Sequence, residues 1–416
     1  MKKIIVLTLF IVSYSFAISL DHVIKLAVKN SPYLKEKKVD VDISKYQEKV
    51  NSAKRFGKIS AFGSYFRYED KRILYPISPP INPKNLVGAK NQFILGVNYT
   101  VPVFVGFKNI ENVEIAKLHE KIANINYSLA KNQLIFNIKN LYSKILELQR
   151  QKVAFNSYLK ALNKLKNDIK LAVKLGKKPK VDILKVNYEI ENTKSQIHSL
   201  QNNINSLKYA LKTLVGVENL DLTNLEDIKP ESVKRVSINN LKKLEKLDFL
   251  KKEQAKKVKI AKGEYLPDIY LIVSAQRNMG ADTYKDIWQI GIKVNFTLFD
   301  FGKRKANYLT EKLKLSKINI KKKIKLLEIK KQLQEGFSRL KTAESKLEAS
   351  QQQLKFAQKI EQIEKIKYQE GVSDLYNYLY AKTQKIMAES NVYRWFYEKQ
   401  RAIFYIKFIL EEYKNE

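Results

Sequence analysis

Residues 288–308 read WQIGIKVNFTLFDFGKRKANY. Trp288, Ile290, Ile292, Val294, Phe296 and Leu298 alternate with Gln289, Gly291, Lys293, Asn295 and Thr297, and a strand points alternate side chains to opposite faces. One face of this strand is therefore apolar and the other wet. The pattern ends at Phe299-Asp300-Phe301-Gly302, after which a Lys-rich stretch without proline, rich in good helix formers, begins a very long helix.

The same event occurs earlier in the chain. In FILGVNYTVPVFVGFKNIENVEIAK the apolar set is Phe93, Leu95, Val97, Tyr99, Val101 and Val103, with Gly96 in the place of Gly291 and a helix starting near Lys108. The two copies keep one ungapped register, 195 residues apart: Gly176 falls on Gly371, Leu184 on Leu379 and Tyr142 on Phe337. Such a period is far longer than that of a solenoid, so the chain reads as one large module duplicated.

Working outward, Ser31-Pro32 marks the start of a helix running to about Arg55, and Lys58 to Tyr68 reads as a strand. The prolines of ILYPISPPINPKNLVG make an exposed loop, and the matching loop of the second copy, Asn278 to Lys285, is shorter. Helices are expected over Lys108–Lys174 and Val181–Val215, reversed through Gly176-Lys177-Lys178-Pro179. The second copy repeats this with a helix ending near Tyr265, a strand from Ile269 to Arg277, the strand beginning near Ile287, a helix from Lys303 to Tyr368, a turn at Gly371 and a last helix to about Tyr413. Leu326, Leu333, Leu340, Leu347 and Leu354 share one heptad position, and Ile329, Gly336, Ala343, Ser350 and Ala357 share another, as in helices that pack side by side. The segments are therefore a leader over residues 1–17, a first repeat over 18–215, a linker over 216–237 and a second repeat over 238–416.

MKKIIVLTLFIVSYSFA has the basic start, short apolar run and small residues of a cleaved secretory signal peptide, with an uncleaved anchor as the other reading. No later stretch has the apolar length of a transmembrane helix, so a membrane crossing would use strands. The absence of cysteine excludes disulfide scaffolds and lipid-modified cysteine. A net charge of +36 raises nucleic acid as a partner. The lysines, however, run along whole helices, and an exported chain does not meet nucleic acid; a solvated basic surface, open to anionic lipid, fits better. No Walker, HExxH or dinucleotide motif is present, the three histidines read as ordinary helix residues, and neither enzyme activity, cofactor nor metal is expected.

The duplication, the junction Leu298-Phe299-Asp300-Phe301-Gly302 and the opening Leu20…Ala27…Asn30-Ser31-Pro32 together resemble the TolC-type outer-membrane efflux factors. That resemblance implies a mainly α fold with membrane β: a homotrimer whose long helical hairpins form an α-barrel across the periplasm, and whose protomers each give four strands to one shared 12-stranded β-barrel. It implies a passive exit duct for efflux or type I secretion, lodged in outer-membrane lipid and partnered by a periplasmic adaptor and an inner-membrane transporter. Trp288, Ile290, Ile292, Val294 and Phe296 would then face lipid, and Gln289, Lys293, Asn295 and Thr297 the lumen. The turns, with Gly176, Lys177, Lys178, Gly371, Val372 and Ser373, would dock the adaptor.

By position, Asp182 and Tyr368 match a hydrogen-bonded pair that holds the family's channel shut, although Asp182 also suits a helix start. A second family link would fall on Ser373 and Val181 and is missing. The acidic positions of the family's entrance fall on Asn377 and Tyr380, leaving Asp374 as a partial substitute. The rival to a conduit is a secreted coiled-coil structural or adhesive protein, which would have no use for two-faced strands.

Overall fold

The computed structural model describes residues 17–233, 237–238 and 240–415. Apart from Ala17, the expected leader lies outside them, as do residues 234–236 of the linker. In chain order the elements are α1 (Leu20–Asn30), α2 (Pro32–Ala53), β1 (Lys58–Ile73), β2 (Gly88–Val105), α3 (Lys108–Lys174), α4 (Val181–Val215), α5 (Lys242–Gly263), β3 (Asp268–Gly280), β4 (Thr283–Asn295), α6 (Lys303–Gln369) and α7 (Leu375–Ile409). Among the described residues no helix is long and apolar enough to cross a membrane. The chain divides into two compact units, one of residues 1–37, 127–242 and 326–416, the other of residues 38–126 and 243–325.

The second of these units holds an antiparallel sheet of order β1-β2-β3-β4. Directly opposed residues share a face, and the register sorts the side chains. On one face Tyr65, Gly63 and Ala61 stand opposite Phe93, Leu95 and Val97; Val97, Tyr99 and Val101 oppose Ala275, Val273 and Leu271; and these oppose Trp288, Ile290 and Ile292. The other face carries Ser64, Asn98, Ser274 and Gln289. Gly96 is required on this wetter face because the Phe62 ring lies across it: a Cβ there would come within 2.7 Å of the ring tip and 2.8 Å of the Ala275 carbonyl.

Two expectations are corrected in this unit. The loop foreseen over Asn278 to Lys285 is instead paired strand closed by a two-residue turn, with Gly280 opposite Thr283 and with Ala281 and Asp282 both at positive φ (51° and 59°). Two successive left-handed residues give the twist that a tight hairpin needs. The strand foreseen to Leu298 stops at Asn295, so Phe296 and Thr297 lie beyond it. Its partner β3 begins at Asp268 opposite Asn295, preceded by Pro267, which has no N–H to extend the ladder. The Arg304 guanidinium donates instead to the Thr297 carbonyl (2.8 Å) and the Leu298 carbonyl (3.4 Å).

The first unit is helical. Its core packs Val23, Ile24 and Ala27 of α1 with Ile135, Ile138, Tyr142 and Ile145 of α3, Leu211 and Val215 of α4, and Phe404 of α7. The fully buried Tyr142 shares its hydroxyl proton between the Ile18 carbonyl (2.7 Å) and the Glu226 carbonyl (2.6 Å), tying α3 to the start of the chain and to the linker, which themselves form a parallel bridge at Ile18 and Leu225. Of the heptad residues, Ile329, Leu333, Gly336, Ala343 and Ser350 are buried, and a Cβ on Gly336 would meet Ile406 of α7 at 2.9 Å. Small residues there allow α6 and α7 to approach closely.

Three helix ends in this unit need glycine. Gly176, Gly216 and Gly371 have φ of 70°, 74° and 76°, a region costing other residues roughly 1–2 kcal/mol. At Gly216 a Cβ would also press on the Asn30 carbonyl at 2.8 Å, whereas Gly176 faces open space. Gly216→Ala is therefore expected to lower the urea midpoint of unfolding by clearly more than Gly176→Ala, and Gly176→Ala by an amount matching about 1 kcal/mol. Circular dichroism on the detergent-solubilised protein checks the order.

Candidate functional site

Two regions carry the residues singled out by the sequence: the reversals at the ends of α3 and α6, and strand β4. Both reversals use one motif. The Lys177 N–H donates to the Ala172 carbonyl (2.8 Å) and the Gly176 N–H to the Val173 carbonyl (3.1 Å). In the second copy Val372 donates to Lys367 (2.8 Å) and Gly371 to Tyr368 (3.3 Å). This paired 6→1 and 5→2 bonding satisfies carbonyls that a helix end otherwise leaves free. The two turns are thus the same object built twice.

What surrounds them differs. The Lys178 ammonium of the first turn lies 4.1 Å from the centre of the Tyr368 ring, and that ring stacks on Tyr378 at 5.7 Å and 12°. Asp182 and Tyr368 are both buried, yet no hydrogen bond joins them. Lys185 stands 3.8 Å from the Asp182 carboxylate, and the Tyr368 ring is engaged by Lys178 and Tyr378. Burial first, and then the negative charge of Asp182, push the Tyr368 hydroxyl up to about 12. It stays a neutral phenol at any ordinary pH.

Asp374 caps α7, its carboxylate accepting from the Asn377 N–H at 2.9 Å, so its charge is directed at the helix start. Ser373 donates to Glu364 at 2.8 Å, and Lys367 pairs with the same residue. These two bonds, Lys367 foremost, hold the Glu364 carboxyl below its usual range. Val372 and Tyr380 are exposed, Tyr380 stacking on Tyr376 at 6.3 Å, and Lys177 is exposed as well.

Sequence reasoning missed the polar centre of this region. The Tyr158 hydroxyl of α3 lies 3.0 Å from the Glu189 carboxylate of α4 and 2.9 Å from the Thr383 hydroxyl of α7, and Thr383 reaches the same carboxylate oxygen at 3.1 Å. Three helices are thereby tied to one carboxylate. Burial pushes the Tyr158 hydroxyl up. No local signal announces such a contact, because its members are far apart in sequence. Glu361 of α6 similarly faces Lys382 (3.9 Å) and Lys385 (3.5 Å) of α7. In the other unit His119 of α3 pairs with the buried Glu253 of α5 at 3.1 Å, which gives one of the three histidines a structural role beyond a plain helix position. Burial acts to raise the Glu253 carboxyl, but hydrogen bonds from Lys257 and His119 outweigh it and leave it lowered.

On β4 the side chains of Trp288, Ile290, Ile292 and Val294 oppose Ala275, Val273, Leu271 and Ile269, while Gln289, Lys293 and Asn295 oppose Ser274, Tyr270 and Asp268. Both faces of this edge strand are open to solvent in the single chain, so register rather than exposure distinguishes them. Among the described residues no cluster of ligating side chains could hold a metal ion.

An apolar-faced sheet joined to long paired helices is the fold of the outer-membrane channels. The chain aligns over 94% of its length with the Campylobacter jejuni CmeC outer membrane channel (TM-score 0.80, 17% identity, 85% of that chain), with the outer membrane protein VceC of Vibrio cholerae (TM-score 0.77, 15% identity, 96% of that chain) and with the open state of the Neisseria gonorrhoeae MtrE outer membrane channel (TM-score 0.75, 14% identity, 88% of that chain). Residues 239–402 match the family model described as outer membrane efflux protein. No curated protein matches the sequence.

The three-helix bond network makes a specific demand. Tyr158→Phe removes a hydrogen bond to a charged group, a contact worth roughly 1.5–3 kcal/mol, and Thr383→Val strips the same carboxylate of its other partner. Both single variants should lower the urea midpoint, and the double variant should fall short of their sum because all three groups share one network. Strict additivity would show that Glu189 is held by something else.

Proposed function

We propose that this protein is a passive outer-membrane exit duct, with the sheet contributing to a β-barrel in the membrane and the paired helices forming a conduit on its periplasmic side. The single observation that carries this reading is the register of the sheet, which gathers an apolar face across all four strands while the outer edges of β1 and β4 carry no ladder among the described residues. Lipid offers backbone groups no hydrogen bonds, so such a sheet must close on further copies of itself. A homotrimer with 12 strands in total is the assembly we propose, built from the repeats at 18–215 and 238–416 and the linker at 216–237. The family domain over residues 239–402 and the shared fold support an efflux role.

Under this reading Gly176, Lys177, Lys178, Gly371, Val372 and Ser373 dock a periplasmic adaptor joined to an inner-membrane pump. The exposure of Lys177 and Val372 suits a surface that meets a partner. Asp182, Tyr368, Asp374, Asn377 and Tyr380 form the gate. Within it, Tyr368 acts through its ring, clasped by Lys178 and Tyr378, with the Asp182 charge alongside.

Two experiments test the proposal. Ile292→Arg or Val294→Arg should abolish assembly, since charge against lipid near the midplane costs about 2–4 kcal/mol. Asn295→Arg should assemble and alter single-channel conductance in a planar bilayer; equal tolerance of all three removes the assigned facing. At the gate, Lys178→Met and Tyr368→Ala should raise the open fraction, because each removes a contact worth about 0.5–2 kcal/mol, whereas Tyr368→Phe keeps the ring and should leave gating near wild type. A strong effect of Tyr368→Phe in single-channel records would transfer the role from the ring to the hydroxyl.

A further inference from the structure

Charge is sorted between the two faces of the sheet. Up to the irregularity after Arg67, the charged side chains on the apolar face are Arg67, opposite Asn91, and Arg277, opposite Asp286. The last two neutralise each other through paired hydrogen bonds of 2.7 and 2.8 Å. The wetter face carries Lys58 opposite Thr100, Lys285 opposite Asn278, Lys293 opposite Tyr270, and Asp268 opposite Asn295. Three lysines share that face with one carboxylate, and every other side chain that the register puts there is neutral.

Two of these lysines stand together. The ladders run from Lys58 through Thr100 and Ile272 to Gly291, one step along the same face from Lys293, at the end of the sheet where β1 follows α2 and β4 leads to α6. Both are exposed, and neither has a hydrogen bond or ion pair among the described residues. Asp268 is the diagonal neighbour of Lys293 across the β3–β4 ladder, yet no ion pair joins them. The bias continues past the strand. Within residues 303–325 of α6 the only acidic residue is Glu311, which already accepts from Lys314 and from Gln254, each at 2.6 Å. Lys305, Lys312, Lys317, Lys321 and Lys323 are exposed there and unpaired among the described residues.

We propose that the duct prefers anions, with Lys58 and Lys293 as the residues that set the preference. This rests on the reading of the sheet as part of a barrel whose wetter face lines the lumen. Each copy in such a barrel repeats the two ammonium groups at one level, and a ring of lysine or arginine is the means by which a pore selects anions. Fixed charge of one sign in a cleft with low-dielectric walls raises the local concentration of the opposite ion. The cargo that fits is an acidic solute, carrying carboxylate or phosphate. The net charge of +36, which neither the strand pairing nor the helix packing requires, then serves passage.

Reversal potentials across planar bilayers of neutral phosphatidylcholine, where lipid adds no charge, test this under a gradient of potassium chloride. Wild type should favour chloride over potassium, and more strongly in dilute salt, because screening acts beyond about 10 Å at 0.1 M but beyond about 3 Å at 1 M. Lys58→Gln/Lys293→Gln should move the potential toward that of potassium and Lys58→Glu/Lys293→Glu should move it further, while Arg67→Gln on the apolar face should leave it unchanged. If the glutamates prevent assembly, the glutamine pair, which only removes charge, decides alone. A wild-type channel that favours potassium overturns the anion preference and leaves the duct standing. Chloride preference undiminished in the glutamine pair overturns the assignment to Lys58 and Lys293. If no channel forms at all, the duct itself is overturned, and the preference with it.

Discussion

An unpaired strand edge is the constraint on which this molecule turns. Helices satisfy their own backbone groups, and β2 and β3 satisfy theirs against neighbours, but β1 and β4 each leave one row of N–H and C=O groups without a ladder. In water such an edge is an invitation to aggregate. In lipid it is untenable, since each unsatisfied group costs several kcal/mol. The row from Trp288 to Val294 is apolar and exposed, and under the proposed placement in a membrane, closure with further copies becomes a condition of stability rather than an option.

The helical unit solves a different problem with different means. Long helices packed along small residues such as Gly336 and Ala343 can slide, because a heptad seam repeats its contacts every two turns. Side-chain bonds that occur once break this degeneracy. Tyr142 bonded to the carbonyls of Ile18 and Glu226, and Glu189 shared by Tyr158 and Thr383, each fit one alignment of the helices only. The second of these lies in the same cluster as Tyr368 and Tyr378. A gate placed there would work against a framework whose helix register is already fixed, leaving the ring of Tyr368 and the Lys178 above it as the adjustable part.

How much of this was legible in the sequence follows from which interactions are local. The helices Lys108–Lys174 and Val181–Val215 end where the sequence said, because Gly176 and Pro179 decide the matter within one turn. The two faces of β4 were likewise legible, alternation being a property of the strand itself. The end of β4 was not, since a strand is as long as its partners allow, and Pro267 precedes a different strand. The two-residue turn at Ala281-Asp282 escaped because neither residue is the glycine or asparagine usual there. The site was legible as positions only: Asp182 and Tyr368 are buried in the region expected, but the Lys178–Tyr368 contact and the Glu189 network join residues whose proximity no local pattern encodes.

The two copies differ most where their surroundings differ. Gly106-Phe107 and Phe301-Gly302 are equivalent pairs leading into α3 and α6, and all four residues have positive φ. In the first copy the glycine comes first, because Gly106 and Gly263 meet backbone to backbone and no side chain fits between them. In the second copy the same place is held by Phe301, 92% exposed, in a left-handed conformation that a bulky residue adopts only under constraint. Inside the chain its ring packs edge-on against Phe299, with the centroids 4.8 Å apart. Its neighbours Leu298 and Phe299 are exposed as well, so an apolar surface continues past the end of β4 into the start of α6.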